Sequence, residues 1–197
     1  MNINLNVIIN AIWWWQSKGF TTDIGAPYLV DPDIMSFTCP PGVIDKRMTH
    51  SNGKQYVASA EQSFLQMEKD GKIPYTENKK YMALTPCYRD EAVLDEFHYN
   101  IFLKLELFVY HVVCEEEVDY ALACDLQSFL NLNGMQTEIV RTDIGWDVEY
   151  KGLELGSFGY RESPEGVLYV YGTGLAEPRT STALAINEGV YDTTGEM

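Results

Sequence analysis

Two apolar runs, residues 80–89 and 101–113, are separated by a single charged stretch, residues 90–99. They read as two antiparallel strands joined by a long connection. This pair constrains the architecture more than any other feature, and the neighbouring segments follow from it. Upstream, residues 6–18 place Val7, Ile8, Ala11, Ile12, Trp14 and Trp15 at helical spacing, with Gly19 positioned to stop the helix. Trp13, Trp14 and Trp15 are consecutive, so they cannot all face one core, and at least one is expected to meet a partner or a second element. Residues 20–30 read as extended, 31–56 as a long loop rich in Pro, Gly, Ser, Thr and Asn, and 60–69 as a short helix.

Downstream, residues 115–130 repeat Val118, Ala121, Leu122, Leu126, Phe129 and Leu130 at helical spacing behind an acidic first turn. Short strands are expected at 138–141, 146–150, 152–158 and 167–171. The glycines of Gly172-Thr173-Gly174 are then expected to open a last helix over 178–187. This order is α+β with an antiparallel sheet flanked by helices, and not the alternating βαβ of a doubly wound fold.

The 197 residues suit one domain, here 1–197, and 46% apolar composition suits a packed core. The balance of 14 Lys+Arg against 29 Asp+Glu gives −15, which disfavours nucleic-acid binding by bulk electrostatics. No apolar run is long enough to span a membrane, and the N-terminal segment has no basic lead or small-residue cleavage site. It is expected to be a helix of a cytoplasmic protein. Cys39, Cys87, Cys114 and Cys124 form no CxxC pair, so four reduced thiols are expected. A zinc site from Cys39, Cys87 and a His is the other reading.

Four clusters carry chemistry. Tyr88-Arg89-Asp90-Glu91 is followed by His98, Phe102 and Glu106, and Arg89 is expected either to pair with Glu91 or Glu106 or to reach an anionic ligand. Asp147 and Glu154 sit on adjacent strand candidates, where they either share a cation or face solvent separately. Arg161 follows a small-residue stretch and is expected to clamp a carboxylate, or to pair with Glu162 or Glu165. The fourth is the glycine-bearing run from Gly172 through Arg179.

In order along the chain, these clusters resemble the three motifs of class II aminoacyl-tRNA synthetase catalytic cores. Lys18-Gly19-Phe20 with Ala26-Pro27-Tyr28-Leu29 is similar to motif 1, the Tyr88–Glu106 set to motif 2, and Gly172 through Arg179 to motif 3. The run from Trp146 through Arg161 is similar to the aspartyl-type hairpin. That segment and Arg179-Thr180 are also similar to the related ammonia-dependent asparagine synthetase. Ile101, Ala176 and Pro178 stand where the subgroup carries Glu, Gly and Glu, and the chain from Arg161 to Gly172 is short for a synthetase.

The resemblance implies an ATP-dependent ligase that forms an aminoacyl adenylate from an aspartate- or asparagine-like amino acid. The acyl acceptor would be ammonia, an amine or another molecule. It implies that Arg89 contacts the α-phosphate and the substrate carboxylate, Glu91 the adenine edge, Phe102 its ring, His98 the terminal phosphates and Arg179 the γ-phosphate. Asp147 and Glu154 would hold Mg²⁺, Arg161 the substrate side chain, and Ser59, Glu61 or Gln62 its amino group. It also implies a homodimer through the first helix and the strand to Pro27. No anticodon-binding domain is expected, and the acidity disfavours tRNA. The alternative is a non-catalytic paralogue that binds a nucleotide, an amino acid or a partner protein.

Overall fold

The computed structural model describes residues 3–22, 25–39, 48–112 and 115–187. Val113, Cys114, residues 40–47 of the expected loop, and the acidic side chains expected at 115–117 lie outside the described residues. Helix α1, Leu5–Ser17, starts where the Asn4 side chain accepts from the Asn6 and Val7 N–H groups. It stops at Lys18, before Gly19 at φ 88°. The strands β1, Leu29–Val30, and β2, Gln55–Tyr56, form a small antiparallel ladder of their own. Between them lies α2, Pro32–Thr38, within the stretch expected to be loop. The proline there begins a helix: Pro32 occupies the first turn, where no N–H is needed. Asp31, just before it, is bridged by Lys54 and Lys69, which hold its carboxyl down at about 2.

Helix α3, Ala60–Lys69, falls where expected, behind a capping box formed by Ser59 and Gln62. The strand pair is β3, Lys79–Tyr88, and β4, Ile101–Tyr110, antiparallel throughout. Then follow α4, Glu115–Leu132, and the strands β5, Glu138–Thr142, β6, Gly145–Tyr150, β7, Leu153–Glu162, and β8, Leu168–Glu177. Helix α5, Arg179–Asn187, closes the described chain. The six long strands form one antiparallel sheet in the order β3-β4-β8-β7-β6-β5. The α+β architecture expected from the sequence is the one observed.

Helices pack on both faces of this sheet. On one face Trp15, Leu107, Leu126 and Phe158 form a core with α1, α4 and α5. On the other, α2 and α3 bring Met35, Phe64 and Leu65 against Phe108 and Tyr169. The three tryptophans separate as expected: Trp15 is fully buried, Trp14 half-buried and Trp13 65% exposed.

The glycine run corrects the sequence expectation. Gly172, Thr173 and Gly174 lie inside β8 and do not open a helix. A side chain at Gly172 would fall 2.2 Å from the Phe158 ring, so this glycine makes room for a core aromatic. The carbonyl of Gly174 accepts from the Trp15 indole N–H at 3.0 Å. Strand β7 also runs four residues beyond the expected end at Phe158, so Arg161 lies within the sheet. Among the described residues, no helix is long and apolar enough to cross a membrane.

Candidate active site

The second face of the sheet is incompletely covered, and its alternation puts a row of polar side chains into the gap. On β4, Leu105, Leu107 and Val109 belong to the first core, while Phe102, Lys104 and Glu106 line cavities on the other face. Two β-bulges extend the row. The β4–β8 register shifts between Leu105 and Glu106, so Glu106 pairs Thr173 while Leu105 pairs Leu175. The β6–β7 register shifts between Val148 and Glu149, leaving Leu155 without an opposite residue. As a result, Glu154 and Ser157 line the same cleft although they are three residues apart.

Two adjoining cavities result. The smaller spans about 490 Å³, part of it open to solvent, between Arg89, Glu91, Phe102, Glu154, Thr173 and Arg179. The larger encloses about 1580 Å³, open to solvent, over Ser59, Glu61, Glu106, Arg161, Tyr171 and Thr173. Arg89, Glu91, Lys104, Glu154 and Thr173 belong to both. Segments far apart in sequence therefore meet in one depression.

In the smaller cavity, Arg89 follows the end of β3, with its guanidinium 4.9 Å over the Phe102 ring. Its Nε donates to the Ala58 carbonyl at 3.4 Å, and Nη1 lies 4.0 Å from Glu91 Oε1. The connection after Arg89 is closed by Asn100, which accepts the Arg89 N–H on its carbonyl and the Glu91 N–H on its side chain. Arg179, first residue of α5, reaches back across the cavity. It donates to the Phe97 carbonyl at 3.2 Å and to the Glu154 carbonyl at 3.3 Å. His98 lines neither cavity; its Nδ1 is held 2.8 Å from Asp95 on the exposed loop.

In the larger cavity, the expected pairings are rearranged. Glu106 is paired with Lys104 at 2.7 Å and accepts from Ser59 Oγ at 2.5 Å, and not with Arg89. Its side chain is wholly buried, and its second oxygen, Oε1, has no hydrogen-bond partner. Arg161 pairs neither Glu162 nor Glu165. Its Nη1 lies 2.6 Å from Glu61 Oε1, which also accepts from Tyr169 at 2.8 Å. The guanidinium lies 4.5 Å over the Tyr171 ring.

Burial pushes the Glu61 carboxyl up, and Glu106 adds to this, against the pull of Arg161 and Tyr169. Burial acts to lower the Arg161 pKa, but Glu61, with Tyr171 and Tyr169, outweighs it and holds the guanidinium above its ordinary value. A guanidinium does not surrender its proton, so at this distance Arg161 favours the ionised form of Glu61 against the effect of burial. Tyr171 is pushed up to about 12, chiefly by burial.

Gln62 has a structural role: its Oε1 accepts from the Ala58 and Ser59 N–H groups, and its Nε2 donates to Thr38. Asp147 and Glu154 are not opposite each other. Asp147 pairs Ser157 and lines neither cavity, whereas Glu154 pairs Glu149 and lines both. Among the described residues, no cluster of three or more His, Cys, Asp or Glu side chains could hold a metal ion. Cys39, Cys87 and Cys124 are free thiols, and burial pushes Cys87 up to about 11. Sequence reasoning missed Lys104, Tyr169 and Tyr171. The alternation of Phe102, Lys104 and Glu106 with three aliphatic residues was the available signal for Lys104.

No family model matches the chain, and no curated protein matches it. Solved structures do. A pyrrolysyl-tRNA synthetase of Desulfitobacterium hafniense matches 94% of this chain at a TM-score of 0.73 and 18% identity, with 69% of its own length covered. A second structure of that organism's pyrrolysyl-tRNA synthetase matches 98% of the chain at 0.72 and 17%, with 73% covered. Seryl-tRNA synthetase from Pyrococcus horikoshii, solved in complex with ATP, matches 92% at 0.68 and 19%, with 49% covered. The antiparallel sheet with its flanking helices has the fold of a class II aminoacyl-tRNA synthetase catalytic domain.

Proposed function

We propose that the chain is an ATP-dependent enzyme that activates an amino acid as its adenylate. One observation carries this reading: Arg89 and Arg179 converge on one cavity, which adjoins a cleft where a buried carboxylate oxygen of Glu106 lacks a partner. The arginines suit phosphates, and the Glu106 oxygen suits an ammonium group. Phe102, with Arg89 over its ring, lines the same cavity as Glu91, and this pair suits a base.

In the reaction, a substrate carboxylate oxygen attacks the α-phosphorus in line. The bond from that phosphorus to the bridging oxygen breaks, and pyrophosphate leaves. No proton moves in this step, so it needs positioning and charge stabilisation more than a general base. Arg89 and Arg179 supply the latter. Glu154 fits a Mg²⁺ site, since this ion is commonly held by one or two carboxylates together with substrate phosphates. Such an ion would neutralise phosphate charge. Asp147, one strand away from Glu154, lines neither cavity and is the weaker candidate ligand.

The substrate amino acid belongs in the larger cleft, against Ser59, Glu61 and Arg161, with Gln62 acting through the helix cap. The acyl acceptor would be ammonia or a small amine, because a chain of −15 is poorly suited to tRNA. Leu5, Ile9 and Trp13 form an exposed stripe on an uncharged α1, which supports a homodimer through this helix.

A second reading is a nucleotide-binding module without catalysis. It is favoured by Arg179, which is already engaged with two backbone carbonyls.

Thermal unfolding tests both readings. A ligand at 100 times its Kd adds about 2.7 kcal/mol, so Mg²⁺-ATP should raise the midpoint visibly. Arg89→Ala and Arg179→Ala should abolish the rise. Amino-acid-dependent exchange of labelled pyrophosphate into ATP distinguishes the enzyme from the module.

A further inference from the structure

The larger cleft has a charge pattern that bears on which amino acid it accepts. Among the described residues, its deep end holds two cations and two carboxylates, already matched one to one: Arg161 with Glu61 at 2.6 Å and Lys104 with Glu106 at 2.7 Å. These are built pairs. Glu61 and Glu106 are 7% and 0% exposed at the side chain, and Tyr169 and Ser59 fix one oxygen of each. Tyr171 covers one face of the Arg161 guanidinium. The lining also holds Arg89, Asp90, Glu91 and Glu154, so among the described residues carboxylates outnumber cations around the cleft. The outer wall of Met35, Tyr56 and Tyr88 adds no positive charge.

We propose that the substrate is an amino acid with an uncharged side chain, and that Glu61 sets this selectivity by neutralising Arg161. This rests on the adenylate-forming reading above. A zwitterion brings one positive and one negative charge and leaves the deep end balanced. A side-chain carboxylate would bring a further negative charge for which no unpaired cation is available there among the described residues. Burying such a charge is costly, and the −15 of the whole chain adds to the penalty. Arg161 can still give a hydrogen bond to an amide or hydroxyl oxygen, which suits an uncharged polar side chain. The sequence alone pointed to Arg161 as a clamp for an acidic side chain; its pairing with Glu61 changes that role.

The test is Mg²⁺-ATP–pyrophosphate exchange on the full chain with asparagine, glutamine, serine, tyrosine, aspartate, glutamate and lysine. The expected result is exchange with at least one uncharged amino acid, at a kcat/KM about tenfold or more above that for any charged one. In Glu61→Gln, whose fold is checked by circular dichroism, Arg161 loses its counter-charge. The ratio of acidic to uncharged substrate should then rise about tenfold.

A charged amino acid as the best substrate of the unaltered chain would overturn the inference while leaving adenylate formation standing. An unchanged ratio in a folded Glu61→Gln would overturn the role given to Glu61. If that variant does not fold, the panel on the unaltered chain decides. Exchange with no amino acid would sink the adenylate-forming reading itself, and the inference with it.

Discussion

At the scale of single residues, the fold depends on a few positions where a side chain and an empty space are matched. Phe158 is fully buried and fills the space that a side chain at Gly172 would occupy. Gly172→Ala should therefore cost about 1–3 kcal/mol by overpacking, read as a lower urea midpoint with an unchanged slope. The same glycine looks, from sequence, like part of a phosphate-binding turn. Glycine spacing alone does not say whether the missing side chain admits a ligand or a neighbouring ring, and here it admits the ring. Arg161 has the same ambiguity. Its place in the motif was legible, but its partner Glu61 is 100 residues distant, beyond any local pattern.

At the scale of elements, α3 ties stability to the site. Its cap is built by Ser59 and Gln62, and the residue between Ala60 and Gln62 is Glu61. Gln62→Ala leaves the Ala58 and Ser59 N–H groups without their acceptor. A loss of about 1–2 kcal/mol is expected, with weaker substrate binding because Ser59 and Glu61 lose their fixed position. Chemical denaturation and a KM measurement check the two parts.

The helices α1, α3 and α4 and the β3–β4 pair were readable because their periodicity is strong. The bulges were not. Strict alternation would put Glu154 and Ser157 on opposite faces of β7, and only the unpaired Leu155 brings both into the cleft. The outlines of the site were therefore legible in sequence, but its floor was not. Helix α2 was missed because Pro32 and Pro-rich surroundings read as loop unless the proline is recognised as a first-turn residue.

At the scale of the whole molecule, acidity and buried carboxylates act together. Glu68 accepts from Tyr110 and Ser163 on one oxygen, while its other oxygen is buried without a partner. Burial pushes its pKa up, with Glu165 adding to the effect; burial also raises Glu177. A carboxyl whose pKa is higher folded than unfolded binds more protons in the folded state. Its contribution is complete below the unfolded value and is lost as pH rises through the folded one. Self-repulsion of a −15 chain runs the same way. Stability should therefore fall as pH rises above the ordinary glutamate range, and Glu68→Gln should flatten that fall. Urea midpoints measured from about pH 5 to 8 test this.

The separation of the three consecutive tryptophans also gives the protein a spectroscopic handle. Trp15 is sealed against water with its indole N–H satisfied, while Trp13 stands in solvent on the uncharged face of α1. Iodide should quench the Trp13 contribution to emission and leave that of Trp15 intact. If α1 is where two copies meet, raising the protein concentration should shift the emission to the blue and protect it from the quencher. Trp13→Phe should remove the concentration-dependent shift and weaken the quenching, leaving what the half-buried Trp14 and Trp146 contribute. The fluorescence of the unlabelled chain thus reports on whether its first helix is covered.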